Sequence, residues 1–396
     1  MLSSARIITL STLVIVASTP TNASQTASAP EPSVVSAKFD MEGLSQFLVP
    51  VRVNDVSFWC SLDSGGSWVL SIDRVKALNA GLRPNRTGSS AGVGTEVVRD
   101  DRVDGVTVAL GSVILHDRTI VLRPFPAITP DMDCVMGLAL LQDYVVEFDY
   151  LGARLRIFDA KSFRPSSKAA PVRFNIDRFR NPYLETRLSL GKADEIRANL
   201  MLDTGASYYS AVLMHSFIAG NNILNRLGRV VQEVSHTPNL ALAATRLARM
   251  AVGPFEVAEP VSALIQTPSV GIIHDGLVGA GFFRRFTATF DYTRQQLWLE
   301  SNGRLAERQQ FDASGVEFRH AENDAFAVLA IAPDSPGAMA GLEAGDVLLE
   351  IDGRSATGMA LAEIKARLSR PGTTCVLRIN RKGAMRTATL QLKDRL

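Results

Sequence analysis

Apolar and polar residues alternate along most of the chain in short runs broken by Gly, Pro, Asn and Asp, the pattern of strands buried on one face. Val49 to Val53 and Phe58 to Leu62 flank Asn54-Asp55, which predicts a hairpin. Two further alternating runs, Val106-Thr-Val-Ala-Leu and Leu247-Ala-Arg-Met-Ala-Val, each lead into a glycine turn, at Gly111 and Gly253. Short helices are expected after Asp73 and Ser210. The N-terminus departs from this pattern. Arg6 precedes an apolar run, Ile7 to Ala17, of about a dozen residues, short of the about 20 that span a bilayer. Small residues follow, so residues 1–23 read as an export signal cut after Ala23, giving a periplasmic or secreted protein; an uncleaved anchor is the alternative. The Ser-, Ala- and Pro-rich segment after it reads as a flexible linker over residues 24–40.

The alternating region repeats itself. Asp133-Cys-Val-Met-Gly137 returns as Asp275-Gly-Leu-Val-Gly279, Phe148-Asp149-Tyr150 as Phe290-Asp291-Tyr292, and Leu155-Arg-Ile157 as Leu297-Trp-Leu299. One offset relates all three, since 275 − 133 = 290 − 148 = 297 − 155 = 142, and it also relates Gly111 to Gly253. Upstream, Leu62-Asp63-Ser64-Gly65-Gly66-Ser67 matches Leu202-Asp203-Thr204-Gly205-Ala206-Ser207 at 203 − 63 = 140. The two-residue slip falls in loops, where insertions are tolerated. Two all-β halves follow, residues 41–165 and 166–303.

The doubled Asp-Ser/Thr-Gly with matched apolar-apolar-Gly segments resembles the aspartic peptidases, in particular the retropepsin-like branch in its bacterial secreted form. The resemblance covers about Met41 to Ser301. It implies a mainly β fold of two pseudo-symmetric acid-protease-type β-barrel lobes, with Asp63 and Asp203 as catalytic residues. Ser64, Gly65, Thr204 and Gly205 would support their loops. The chemistry suits the residue types. Two adjacent carboxyls cannot both ionise, so they share a proton, and one serves as base while the other serves as acid. Gly65 and Gly205 allow close approach. In the family, the strands at Val135-Met136-Gly137 and Leu277-Val278-Gly279 cross behind the aspartyl loops. That crossing puts Cys60 and Cys134 within reach of a bridge; two buried thiols are the alternative. Gly66 and Ser64 replace the usual Ala and Thr. The glycine-rich Gly88 to Gly94 stands where the first lobe carries a flap, or else is an ordinary loop. Asp149 and Asp291 are expected in structural turns, and Asp133 and Asp275 beside the glycine strands.

From about Phe311 a different pattern begins. Ser335-Pro-Gly-Ala-Met-Ala-Gly-Leu-Glu-Ala-Gly-Asp346 and the following Val347 to Gly353 resemble bacterial PDZ domains, implying an α+β unit over 311–396. Pro336 suits a helix start and Gly341 its end. Strands are expected at Val347 to Ile351, Cys375 to Ile379 and Arg386 to Leu392, with a helix from Met359 to Ser369. The resemblance implies capture of peptide C-termini at a carboxylate loop, Gly315-Val316-Glu317-Phe318, in which Glu317 replaces a small residue.

Composition narrows the choices. A formal charge of +2 without a Lys/Arg run gives no footprint for nucleic acid. The three cysteines have no metal-ligand spacing, no phosphate-binding loop opens a helix, and no cofactor is expected. Asp63-Ser64-Gly65-Gly66 also looks like a trypsin-family nucleophile stretch, but all five histidines, at 116, 215, 236, 274 and 320, come after Ser64, against that family's order. The expectation is thus an aspartic endopeptidase acting on exported or unfolded proteins. With both halves in one chain it needs no homodimer. The alternative is a catalytically silent peptide-binding scaffold of the cell envelope.

Overall fold

The computed structural model describes residues 31–39, 47–66, 70–91, 94, 96–125, 132–191, 194–206, 208–235, 239–321 and 325–396. The expected export signal lies outside them. Among the described residues no helix is long and apolar enough to cross a membrane. The architecture is mainly β, with one hydrophobic core running from Val35 to Leu299 and a second from Ala313 to Leu392.

In the first half, Leu48–Val53 and Val56–Asp63 form the expected hairpin, with Asn54 at φ +50° in its turn. Alternation points Val49, Val51 and Val53 inward, where all three are fully buried. The sheet continues through Cys134–Gly137, Leu70–Asp73, Val113–Arg123 and Val98–Leu110, which returns to Leu48–Val53 and closes a six-stranded barrel. Arg86–Ser90 lies outside the ring, on Val98–Leu110.

The second half repeats this strand order with Pro182–Gly191, Asp194–Leu202, Gly276–Val278, Ala211–Leu213, Val261–Ile265 and Leu242–Arg246. Its ring is interrupted. The counterpart of the long closing strand breaks at Leu247-Ala248, whose N–H groups bond Pro260 O and Ser189 O. Leu242–Arg246 therefore pairs with Val261–Ile265, and Arg249–Val252 with Pro182–Gly191.

A third sheet joins the halves, in the order Ser33–Ser36, Arg154–Asp159, Tyr144–Asp149, Phe286–Asp291, Gln296–Ser301, Ala170–Arg173. Its central register sets Thr287 opposite Asp149 and Asp291 opposite Val145. Since 287 − 145 = 291 − 149 = 142, the pairing maps onto itself under the sequence repeat. Its centre is Glu147 opposite Thr289, whose hydroxyl donates to Glu147 Oε2 at 3.3 Å.

Two expectations need correction. Within the expected linker, residues 33–39 are not a flexible tether. Ser33–Ser36 adds to the edge of Arg154–Ile157, burying Val35, and Phe39 packs on Phe47 and Tyr150. An open sheet edge and an aromatic cluster hold this segment, features that its Ser/Ala/Pro composition does not register. The helix after Ser210 also starts later. Ala211–Leu213 is a strand, and the helix runs His215–Gly220, whereas Arg74–Asn79 begins directly at its Asp73 cap.

The C-terminal unit has strands Val316–His320, Phe326–Ile331, Val347–Ile351, Arg354–Ser355, Thr374–Arg381 and Ala384–Gln391. Ser335 caps the short helix Pro336–Met339. Asp352 and Gly353, at φ +50° and +77°, make the expected hairpin turn. The second helix is Leu361–Leu368, shorter than expected at both ends, with Ile364 and Leu368 facing the core.

Candidate active site

Asp63 ends, and Asp203 directly follows, a strand that runs parallel to one ending at Gly137 or just before Gly279. Cys60, Ser61, Leu62 and Asp63 lie opposite Cys134, Val135, Met136 and Gly137, as Leu200, Met201 and Leu202 lie opposite Gly276, Leu277 and Val278. Leu70–Asp73 and Ala211–Leu213 run antiparallel on the other side of the glycine strands. This sandwiching fixes the level at which each loop leaves its sheet.

The two loops meet through four reciprocal hydrogen bonds. Ser64 N donates to Thr204 Oγ1 and Thr204 N to Ser64 Oγ, both at 3.0 Å. Ser64 Oγ donates to Leu202 O at 2.7 Å, and Thr204 Oγ1 to Leu62 O at 2.8 Å. Ser64 and Thr204 are 1% exposed, so every bond is sheltered from competing water. Gly65 N donates to Asp63 Oδ1 at 2.8 Å, while Gly205 N and Ala206 N donate to Asp203 Oδ1 at 2.9 Å each. The glycines are required by proximity. A Cβ on Gly205 would lie 2.6 Å from Asp63 Cγ, and one on Gly65 would lie 2.9 Å from Asp203 Cγ.

The carboxyls of Asp63 and Asp203 hydrogen-bond to each other. Burial raises both above the usual carboxylate range, and Asp203 rises well above it because the charge of Asp63 adds to burial. The shared bond, the amides of Gly65 and Gly66 and the Arg123 guanidinium all hold Asp63 down. The two carboxyls therefore cannot ionise independently, and their titration belongs to the pair, with Asp203 the more strongly raised member. Tyr150 and Tyr292 are buried close by. Tyr150 feels Asp203 and Tyr292 feels Asp63, and burial together with those charges raises both phenols.

Of the site residues expected from sequence, Asp63, Ser64, Gly65, Asp203, Thr204 and Gly205 all converge here. Cys60 and Cys134 form a disulfide between the two central strands of the first half, and the buried Cys375 is free. Asp133 and Asp275 lie outside the pair. Asp133 accepts Trp59 N at 2.7 Å and Asp275 accepts Asn199 N at 2.8 Å, each fastening its strand. Asp149 accepts Gly152 N and Asp291 accepts Arg294 N, so both close turns. Of the glycine-rich stretch, Gly88 to Ser90 lie in the strand Arg86–Ser90, paired with Val98–Leu110, and Gly94 O accepts Val270 N of the second half at 3.2 Å; residues 92 and 93 lie outside the described residues. Val97, Val98, Val270 and Ile273 are exposed on the two segments that meet there.

Sequence reading missed Arg123, Tyr150 and Tyr292 as neighbours of the pair. The tyrosines end the repeated Phe-Asp-Tyr triplet, so a signal existed. Arg123 has none, because the residue 142 positions on is Ile265.

In the C-terminal unit, Gly315 sits at φ +71°, where a Cβ would lie 2.2 Å from Ser335 Cβ. Asp312 accepts the N–H groups of Ser314 and Gly315, and Ser314 Oγ accepts Val316 N at 3.1 Å. Val316, Glu317 and Phe318 open the strand Val316–His320, which lies at the edge of its sheet with a bulge between Glu317 and Phe318. Glu317 reaches Lys365 on the helix Leu361–Leu368 at 3.4 Å. Residues 314–392 match the family model of the PDZ domain, and the chain therefore carries a C-terminal PDZ domain, a module that generally binds peptides. No curated protein matches the chain.

Proposed function

We propose that this protein is an aspartic endopeptidase with two acid-protease-type lobes, acting on extended segments of exported or unfolded proteins. The observation that supports the reading is the reciprocal hydrogen-bond set that joins the loops of two repeat-related, buried carboxyls whose ordinary values are both raised. Asp63, the charged member, takes a proton from a water molecule as that water attacks the amide carbon. Asp203, the protonated member, donates to the carbonyl oxygen, which leaves a neutral tetrahedral diol. Proton return to the amide nitrogen then releases the amine. Water is the only co-reactant. The hairpin reaching Val270 suits a flap that covers the substrate, with Val97, Val98, Val270 and Ile273 as its apolar lining. The PDZ domain would recruit peptide segments or regulate the lobes, and export to the periplasm or medium fits this use.

Hydrolysis of an unfolded protein across acid to neutral pH tests the proposal. Wild type should cleave, and Asp63→Asn and Asp203→Asn should not. A second reading, a silent peptide-binding scaffold, is favoured by the PDZ match alone. Peptide binding by a wild type that never cleaves, at any pH, would select it.

A further inference from the structure

The chain beyond the second aspartate is fastened to the segment that enters the PDZ domain. Tyr208 lies two residues past Ala206 at φ +74°, a left-handed backbone that a bulky residue rarely adopts. Such a conformation persists only where its surroundings hold it. Several contacts do so. The Tyr208 carbonyl accepts Gln309 Nε2, and its hydroxyl donates to Gln310 O at 2.6 Å. Its ring packs edge-on against Tyr209 and lies 6.0 Å from the ring of Phe311. From below, a Cβ on Gly281 would lie 2.3 Å from Tyr208 O, so the backbone has no room to relax there.

The partners of Tyr208 are themselves buried and bonded. Gln309 is fully buried, its Oε1 accepts Ser210 Oγ at 2.8 Å, and Arg246 Nη2 holds its carbonyl at 2.9 Å. Arg395, only 3% exposed, donates to Asp312 at 3.1 Å and to Glu233 of the second half, with its guanidinium 5.3 Å from the Phe311 ring. Asp312 is also the carboxylate that accepts the N–H groups leading into the loop Gly315–Phe318. On the lobe side, Ala206 O accepts Ala280 N at 2.8 Å, and Gly281 N bonds Tyr209 O at 3.1 Å. A continuous bonded path thus runs from the PDZ loop through Asp312, Gln310 and Gln309 to Tyr208 and the loop of Asp203.

We propose that Tyr208 is a positioning residue for Asp203, through which the segment entering the PDZ domain sets the geometry of the carboxyl pair. The inference rests on the peptidase reading and adds to it a route by which the PDZ domain acts on the site. Among the described residues, only the Tyr208 hydroxyl bonds Gln310, so Tyr208→Phe removes that link while keeping the ring. Tyr209→Phe is the control, because the Tyr209 side chain is not on the path.

The test combines steady-state kinetics with amide hydrogen exchange on the full chain. Tyr208→Phe should lower kcat about fivefold, the loss expected for one neutral hydrogen bond, with KM unchanged. The alkaline limb of its kcat profile should move to lower pH, because carboxyls that part repel less and Asp203 loses its proton sooner. Amides from Asp203 to Ser210 should exchange faster than in wild type, and Gln309→Leu should give the same result without adding to Tyr208→Phe. Tyr209→Phe should change neither the limb nor the exchange. An unshifted limb with unchanged exchange overturns the inference, as does a lower melting temperature with both unmoved, which is the signature of a merely structural tyrosine. Should wild type not cleave at all, the peptidase reading fails by itself, while exchange still judges the coupling between the PDZ segment and the Asp203 loop.

Discussion

The two halves place the same loop in different surroundings. Around Asp63 the barrel is closed, and a disulfide ties the aspartate's own strand to the glycine strand. Around Asp203 the ring is interrupted and carries no cysteine, and the loop is braced by backbone bonds to the Ala280 turn and by the segment entering the PDZ domain. Asp63 is half-buried and near Arg123; Asp203 is buried, faces its partner's charge, and accepts two amides on one oxygen. A duplicated pattern thus makes two loops that can join, and what has diverged around them raises Asp203 more than Asp63.

The sharpest way to break the comparison is to remove either carboxyl. On the proposed peptidase reading, Asp63→Asn and Asp203→Asn should each lower kcat by about 10²–10⁴-fold, as expected when an acid or a base is deleted. Both carboxyls are raised, so both variants should change how stability depends on pH, Asp203→Asn the more. Asp203 is raised above its unfolded value, so its contribution is full below that value and is lost as pH rises through the folded one. At neutral pH Asp203→Asn should therefore melt higher than wild type, by roughly 2–4 °C, and the gain should vanish in acid. Scanning calorimetry from pH 3 to 8 checks the sign, and a variant that melts lower at pH 7 would contradict the assigned burial.

Glycine replacement gives the next effect. Gly205→Ala drives a methyl into Asp63 Cγ at 2.6 Å, while Gly65→Ala meets the flexible end of Met201 at 2.8 Å and Asp203 Cγ at 2.9 Å. Both should reduce kcat, Gly205→Ala by about 10²-fold and Gly65→Ala by less, since small misplacements of reacting groups are costly. Removing the bridge acts on one half alone. Cys60→Ala with Cys134→Ala should destabilise the first half by about 2–4 kcal/mol, measurable by denaturant titration, with the PDZ domain's own transition unmoved. The smallest expected effect concerns Arg123, which holds Asp63 down. Arg123→Gln should move the acid limb of the kcat profile to higher pH and leave the alkaline limb in place.

Much of this was legible in the chain. The shared offset of 142 reappears as a strand register that maps onto itself, and the offset of 140 as the reciprocal bonds of Ser64 and Thr204. The PDZ elements were legible because Gly, Pro and Asp punctuate their turns, and the family match covers them. Errors arose where tertiary contact overrode local composition. Ser33–Ser36 looks like a tether and is an edge strand, because Val35 finds a buried site there. Arg123 was invisible because it is a solitary residue at a strand end, brought toward Asp63 by a barrel that closes through distant pairings.

Sequence alone determined that two similar loops exist, each with an aspartate, a hydroxyl and a glycine, and that a separate module follows them. Repeat spacing and turn residues encode such things locally, and each can be read without knowing its neighbours. Only the tertiary structure decided that the carboxyls share a hydrogen bond, that Asp203 is the more strongly raised, and that Tyr208 is clasped by the PDZ entry segment. Those outcomes depend on burial, on charge at a distance and on contacts between residues about a hundred positions apart (Tyr208 and Gln310 are separated by 102), and no local pattern carries them.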